Sequence, residues 1–186
     1  MKTLRKLNKE EKNSIHLLTT FYQKIYSIFY EITYERNDPD SFYCIPYHRA
    51  TIIEDLLRLF KVIKNQPDGR MPTFLDVGCG VGHIVALASA IGFNAEGLEY
   101  KIPERHAYIT VKQGDALEFK GYDKYDVIYC YQIFRNPSKL KQLYDLIVKN
   151  AKSGTYILPV GQHDYRSFKN CESIQLSLFD VVYRKK

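Results

Sequence analysis

The spacing of apolar positions changes near residue 73 and divides the chain into two parts. Before that point, the segments 10–34 and 48–64 carry apolar side chains every three or four residues, the period of an amphipathic helix. We expect both helices to pack against the body of the protein rather than lie on a membrane. The predicted inward faces are Leu18, Phe21, Ile25, Ile28 and Ile32 in the first helix, and Ile53, Leu56, Leu57, Phe60 and Ile63 in the second.

From Thr73 onward, short apolar runs alternate with helical stretches. Alternation of this kind predicts right-handed β-α-β units and an α/β fold, with a mostly parallel sheet and flanking helices. The predicted strands are 73–77, 94–100, 107–113, 125–134 and 154–160, and the predicted helices are 82–92 and 137–152.

The two ends of this sheet depart from regular alternation. Only "YKIPERH" lies between Glu99 and Ala107, so the crossover has room for at most a single helical turn, whereas parallel strands usually need a dozen residues. The β-forming end 173–185 predicts an edge strand or a hairpin. We therefore expect a helical extension at 1–66 and a core domain at 67–186 with reduced C-terminal strands.

Three glycines follow the first predicted core strand, at Gly78, Gly80 and Gly82. Ligands of open parallel sheets bind at the carboxyl ends of the strands. Glycines there permit a tight turn and close approach of the backbone, while the next helix offers unpaired N–H groups. The spacing is one residue tighter than the dinucleotide pattern, and no P-loop lysine follows, so an NAD or ATP site is disfavoured.

Acidic residues stand at three neighbouring strand ends. Asp76 precedes the glycine turn, Glu99 ends the second strand, and Asp115 follows the third. A carboxylate at Glu99 can accept hydrogen bonds from both ribose hydroxyls, and one at Asp115 can accept from an adenine amino group. Together the acids and the turn predict a site for a nucleoside-containing ligand.

Charge and cysteine content narrow the setting. The net charge of +6, with basic residues at both ends, favours nucleic acid, anionic lipid or an acidic partner, although solvated tails are the simpler interpretation. The four cysteines form no C-x-x-C pair, so neither a zinc site nor a disulfide framework is expected. With no secretory signal and no apolar run of membrane-spanning length, we expect a cytoplasmic protein without a metal.

The series "FLDVGCGVG", "GLEY", "QGDALEF" and "YDVIYC" resembles the motifs of class I, seven-strand S-adenosylmethionine-dependent methyltransferases, over residues 73–160. The resemblance implies a Rossmann-like fold, S-adenosyl-L-methionine as cofactor and S-adenosyl-L-homocysteine as product. It places the methionine moiety on Asp76, Gly78 and Gly80, the ribose on Glu99, and the adenine between Asp115 and Ala116. The further cofactor contacts that it implies are Cys79, Gly82, Tyr100 and Tyr131, the last beside the methyl group.

The family pattern also fails in places. Little sequence separates the fifth predicted strand from the last, which puts the standard sixth strand in doubt. The extension 1–66 is then a candidate lid over the adenine.

The methyl acceptor is less specified. The Asn/Asp-Pro-Pro-aromatic motif of DNA amino-methyltransferases is replaced by "YCYQIF". A weaker resemblance to seven-strand protein-lysine methyltransferases comes from Gly97-Leu98-Glu99 and "CIPYHRATIIEDLL". We expect a protein or small-molecule acceptor, with Tyr131 and Gln132 as candidates for lining its site. A catalytically silent S-adenosylmethionine-binding interaction module and an RNA methyltransferase are the alternatives.

Overall fold

The computed structural model describes residues 2–3, 8–30, 50–65, 69–102, 110–131, 133–160, 168–175 and 181–186. Its helices are α1 (Lys9–Tyr30), α2 (Ala50–Ile63), α3 (His83–Ile91) and α4 (Pro137–Asn150), and Tyr122–Lys124 forms a short 3₁₀ turn. Its strands are β1 (Lys2–Thr3), β2 (Thr73–Val77), β3 (Asn94–Glu99), β4 (Val111–Gln113), β5 (Val127–Tyr131), β6 (Tyr156–Val160), β7 (Cys171–Gln175) and β8 (Val181–Lys185).

The strands form one sheet in the order β1-β7-β8-β6-β5-β2-β3-β4. Every neighbouring pair is parallel except those of β8, which runs antiparallel to β6 and β7. The predicted mostly parallel α/β sheet is therefore confirmed. The chain moves outward from β2 toward β3 on one side, and toward β5 and β6 on the other. This reversal of direction creates a crevice at the carboxyl ends of β2 and β5, where open α/β sheets bind ligands.

Helices cover both faces of the sheet. On one face, α2 and α3 pack against Phe74 and Tyr129, and α1 contacts both of these helices. On the other face, α4 packs against Leu75 and Val77. Because β2 is buried on both faces, its apolar residues Phe74 and Leu75 are adjacent rather than alternating with polar ones.

The predicted inward face of α2 is confirmed, but that of α1 is partly wrong. Tyr22 is 2% exposed while Phe21 is 42% exposed. The inward row runs through Ile15, Leu18 and Tyr22, so Tyr22 takes the place of the predicted Phe21. An apolar residue at either position satisfies the helical period. Lys24 is exposed. The side chains of Ile25, Ile28 and Ile32 lie outside the described residues.

β2 has its predicted bounds, the other predicted core strands are longer than the observed ones, and the C-terminal end is more complete. β4 begins at Val111, and residues 103–109 lie outside the described part of the chain. β7 and β8 pair antiparallel, as the predicted hairpin requires, and β7 is the sixth core strand that the sequence left in doubt. No helix within the described ranges is long and apolar enough to cross a membrane.

Candidate functional site

The glycine turn joins β2 to α3 through backbone conformations that residues other than glycine rarely adopt. Gly78, Gly80 and Gly82 have φ values of 73°, 54° and 85°. The N–H groups of Gly78 and Cys79 donate to the carbonyl of Leu98 at 2.8 and 3.2 Å. A Cβ at Gly78 would also lie 2.2 Å from Cγ2 of Ile133. The turn is thus bound to the end of β3, and its first position has no room for a side chain.

The side chain of Glu99 lies against this turn. Its Oε2 accepts a hydrogen bond from the N–H of Gly80 at 2.7 Å. Hydrogen bonds to an ionised carboxylate are shorter and stronger than neutral ones, so this contact fixes the acid relative to the glycine backbone. Gly80 and Glu99 are far apart in sequence, and the parallel pairing of β2 with β3 brings them together.

The third acid is held at the end of β4. The N–H of Gly114 donates to the carbonyl of Glu99 at 3.0 Å, which joins the two strand ends. Oδ1 of Asp115 accepts from the N–H of Leu117 at 2.8 Å. Ala116 is buried, and its carbonyl accepts from the hydroxyl of Tyr122 at 2.7 Å. The loop after β4 is therefore fixed beside Glu99.

Asp76 lies deeper than the other two acids. It is 3% exposed, and within the described part of the chain no group donates a hydrogen bond to its carboxyl. Burial raises the pKa of Asp76 well above its ordinary value, and the negative charge of Glu99 raises it further. Both effects favour the neutral form of Asp76. A positively charged group beside these two acids would lower the pKa of Asp76 and favour its carboxylate.

Cys79 packs against the backbone of β3 rather than facing the site. It is 1% exposed, and a Cβ added to Gly97 would lie 2.4 Å from its Sγ. This contact explains the glycine two positions before Glu99, since any side chain there would push the turn away from the strand. A predicted contact between Cys79 and a cofactor therefore reduces to one through its backbone.

The predicted residues around the crevice differ in exposure. Tyr100 follows β3 and is 71% exposed. Tyr131 ends β5 and is half-buried, with part of its ring packed on the face covered by α1, α2 and α3. Gln132 lies outside the described residues. The structure thus brings Asp76, Glu99, Asp115 and the glycine turn to one edge, with Tyr131 at the neighbouring strand end.

Sequence reasoning missed His83, which directly follows Gly82 and begins α3. It is 6% exposed, and its Nδ1 has no hydrogen-bond partner among the described residues. Burial lowers the pKa of His83 to about 4, so the ring is neutral at pH 7. Its ring centroid lies 5.9 Å from that of Tyr22 on α1. Its position after the third glycine was the available signal.

Tyr22 and Asp76 both lie near Tyr129 of β5. Tyr129 is the register partner of Asp76 on β5, and it stacks on Phe74 with ring centroids 6.3 Å apart. Burial raises the pKa of Tyr129, and the neighbouring Asp76 and Tyr22 raise it further. Helix α1 therefore reaches the buried side of the glycine turn. Among the described residues, no three His, Cys, Asp or Glu side chains are grouped as a metal ion would require.

The sequence comparison agrees with this geometry. A family model described as a methyltransferase domain matches residues 46–160, more than half of the chain. The protein belongs to this methyltransferase family. That assignment confirms the class expected from the sequence, the S-adenosylmethionine-dependent methyltransferases. A search of curated protein sequences finds no significant match.

Three solved structures are similar to this chain, and the first of them supports the fold. An S-adenosyl-L-methionine methyltransferase from Silicibacter pomeroyi aligns with 73% of this chain and 94% of its own, at 13% identity and a TM-score of 0.52. Human N-acetylserotonin methyltransferase in complex with SAM aligns with 93% of this chain and 57% of its own, at 13% identity and a TM-score of 0.49. A sugar N-methyltransferase from Streptoalloteichus aligns with 81% of this chain and 60% of its own, at 16% identity and a TM-score of 0.47. The chain thus spans less than two thirds of the length of the latter two structures.

Proposed function

We propose that this chain binds S-adenosyl-L-methionine at the carboxyl edge of β2, β3 and β4 and transfers its methyl group to an acceptor. The observation that carries the proposal is the hydrogen bond from the N–H of Gly80 to the carboxylate of Glu99. It joins the glycine turn, whose backbone a ligand can approach closely, to Glu99. The carboxylate of Glu99 can accept hydrogen bonds from a ribose. The family assignment supports the same reading.

The acids suit the charges of this cofactor. S-adenosylmethionine carries an ammonium and a sulfonium, and both are cations. In the proposed complex the methionine moiety lies against Asp76, Gly78 and Gly80, where the raised pKa of Asp76 marks a carboxyl without a compensating positive charge. Bound ammonium supplies that charge and favours the carboxylate.

The nucleoside portion then extends along the strand ends. Glu99 accepts from the ribose hydroxyls, and Asp115 with Ala116 flanks the adenine. The Gly114 to Glu99 hydrogen bond supports this arrangement because it holds the two segments side by side. Gly82 and the backbone of Cys79 complete the turn, and the exposed ring of Tyr100 is available at the ribose side.

Methyl transfer is an in-line displacement. An electron pair of the acceptor forms the new bond to the methyl carbon while the carbon–sulfur bond breaks, and the sulfur leaves as the neutral thioether of S-adenosyl-L-homocysteine. The protein contributes orientation and exclusion of water. Tyr131, at the end of β5, and Gln132 are the proposed lining of the acceptor site. A lysine acceptor must lose its proton before attack.

Residues 1–66 are proposed to act as a lid next to the core 67–186. The contact between Tyr22 and His83 supports this role, because it packs α1 against the residue that follows the glycine turn. A protein acceptor and a small-molecule acceptor both remain candidates. The silent interaction module, the RNA acceptor and the cytoplasmic location stay predictions.

Transfer of a radiolabelled methyl group tests the proposal. The purified chain is incubated with labelled S-adenosylmethionine and a cell lysate, which is then divided into protease-treated, nuclease-treated and filtered fractions. Label lost on protease treatment identifies a protein acceptor, label lost on nuclease treatment an RNA, and label in the filtrate a small molecule. Cofactor binding measured by calorimetry without any transfer supports the silent module instead, and no binding by a folded chain contradicts both.

A further inference from the structure

A second cleft opens at the amino edge of the sheet, opposite the three acids. We call it the amino-edge cleft; its volume is about 450 Å³, and three cations and one acid line it: Arg70, Lys152, Arg184 and Asp126. Arg70 precedes β2 and Lys152 follows α4. Arg184 reaches the same edge because β8 runs antiparallel to β6, where Arg184 pairs with Tyr156.

Asp126 fixes two of these cations in place. Arg70 donates two hydrogen bonds to its carboxylate, at 2.5 and 2.8 Å, and the ammonium of Lys152 lies 2.8 Å from Oδ1. The N–H and hydroxyl of Thr73 donate to the same carboxylate at 2.8 and 3.0 Å. Burial alone would raise the pKa of Asp126, but these hydrogen bonds hold it well below its ordinary value. The cleft therefore has preorganised cations around an acid that is ionised at neutral pH.

Arg184 adds charge that Asp126 does not neutralise. Its guanidinium lies 5.8 Å from the ring centroid of Tyr156, an arrangement that holds a cation over an aromatic face. Glu172 of β7 is its cross-strand neighbour. Arg184 lines the cleft together with the turn residues Ser153 and Gly154.

Further lysines surround the amino-edge cleft. Lys185 is engaged at the end of α4, where its ammonium donates to the carbonyls of Val148 and Lys149. Asp123 is an acid on this edge, in the turn before β5. Other cations stand where α2 and α4 end and where β5, β7 and β8 begin or end: Lys64, Lys124, Lys149, Lys169 and Lys186. Among the described residues, basic side chains therefore outnumber acidic ones at the amino edge.

We propose that the amino-edge cleft binds phosphate groups. Arginine and lysine side by side are the donors that proteins use for phosphate oxygens, since the guanidinium forms paired hydrogen bonds and the ammonium adds a point charge. The volume falls in the range of small-ligand sites and is large enough for a nucleotide. Because lysines continue beyond the cleft, the ligand is a nucleic-acid strand rather than a free nucleotide. Its site is separate from the methyl-transfer edge.

Binding of a fluorescently labelled, 20-nucleotide single-stranded RNA, followed by anisotropy, tests the proposal. Arg184→Gln removes one charge from the cleft, and Lys141→Gln is the matched control because it removes one charge from an exposed pair on α4. We expect Arg184→Gln to raise the Kd about fivefold or more relative to the control. The slope of log Kd against log salt should flatten by about 0.7, the contribution of one phosphate in a single strand.

A second variant guards against loss of folding. Lys152→Gln leaves Arg70 and Thr73 on Asp126, so the fold is retained while the cleft loses a cation. Thermal unfolding confirms that each variant is folded, and weaker binding by Lys152→Gln supports the proposal. Equal Kd values for both cleft variants and the control, or no binding at 50 mM salt, overturn it.

Competition identifies the source of the phosphate. Unlabelled RNA that displaces the probe at far lower phosphate concentration than adenosine monophosphate or pyrophosphate supports a strand. Displacement by the small phosphates at equal concentration supports a free nucleotide in the same cleft. Displacement by S-adenosylhomocysteine places the RNA at the carboxyl edge and overturns the assignment.

Discussion

The carboxylate of Glu99 accepts a hydrogen bond from the backbone N–H of Gly80 at 2.7 Å, across the pairing of β2 with β3. Gly80 is one of three glycines with positive φ in the turn, and Glu99 is the last residue of its strand. The contact therefore links the position of the acid to the shape of the turn. A change at either residue acts on both, which makes the pair a direct test of the proposed cofactor site.

Glu99→Gln should weaken S-adenosylmethionine binding about tenfold or more. The amide keeps one oxygen that can accept from Gly80, but it loses the charge that strengthens hydrogen bonds from ribose hydroxyls, a difference of about 1.5–3 kcal/mol for charged acceptors. Isothermal calorimetry measures the Kd. Glu118→Gln is the matched control, because Glu118 is an exposed acid shortly after Asp115. Unchanged affinity in Glu99→Gln would remove the ribose assignment.

Asp76→Asn should stabilise the unliganded protein near pH 7 and weaken cofactor binding. The folded-state pKa of Asp76 is raised, so the native state binds more protons than the unfolded state, and stability falls as pH rises above the ordinary aspartate range. The asparagine is free of this loss, and we expect a gain of about 1 kcal/mol, the scale of an unpaired buried group.

Urea unfolding of Asp76→Asn and wild type at pH 4 and pH 7 measures the effect. The difference between the two proteins should be larger at pH 7, and added cofactor should stabilise wild type more than the variant. A variant that is less stable than wild type at pH 7 contradicts this explanation.

Gly78→Ala should destabilise the protein more than Gly69→Ala. Both glycines have positive φ, 73° and 69°, so each substitution carries about 1–2 kcal/mol of backbone strain. Only at Gly78 does the new Cβ meet another group, Cγ2 of Ile133 at 2.2 Å; among the described residues nothing lies within 4 Å at Gly69. Overpacking adds about 1–3 kcal/mol.

Chemical denaturation of both glycine variants, and of Gly78→Ala combined with Ile133→Ala, separates the two terms. Gly78→Ala should lower the free energy of unfolding less in the Ile133→Ala background than in wild type, because the shorter side chain leaves room for the new Cβ. Equal losses at Gly78 and Gly69 would show that the turn relaxes away from Ile133.

Asp126→Asn should cost about 2 kcal/mol of stability at pH 7, because Arg70 and Lys152 lose their shared anion. The folded-state pKa of Asp126 is lowered, so its contribution is present above the ordinary aspartate range and is lost as the pH falls from that range through the lowered folded-state pKa. Urea unfolding at pH 7 and at pH 3 should therefore show a smaller difference at the lower pH. A difference that does not narrow would indicate that packing, not charge, is lost.

The sequence predicted the carboxyl edge well, because its signals are local. Gly78, Gly80 and Gly82 mark a turn by themselves, and Glu99 and Asp115 follow runs that end strands. Parallel pairing then brings these ends together without further information. The mostly parallel sheet followed from the same alternation of apolar runs and helices.

The residues that the sequence did not reveal depend on contacts between distant segments. Arg70 and Asp126 are 56 residues apart and carry no shared pattern, so their pairing appears only when β2 lies beside β5. Tyr22 was missed because Phe21 fits the helical period equally well, and only packing against His83 decides between them. Burial of His83 likewise arises from α1, which the local sequence around the turn does not encode.

Tyr22→Ala should loosen α1 and weaken cofactor binding, whereas Phe21→Ala should do neither. Tyr22 is buried against His83 beside the glycine turn, while its neighbour Phe21 is 42% exposed. Truncating a buried aromatic costs about 3–5 kcal/mol, and part of that loss should appear as detachment of the helix. Limited proteolysis of the 1–66 segment, with and without S-adenosylhomocysteine, measures it. If the segment closes over the cofactor, ligand protects it in wild type and in Phe21→Ala but less in Tyr22→Ala. Equal cleavage of all three proteins, with ligand bound, would show that the extension is not a lid.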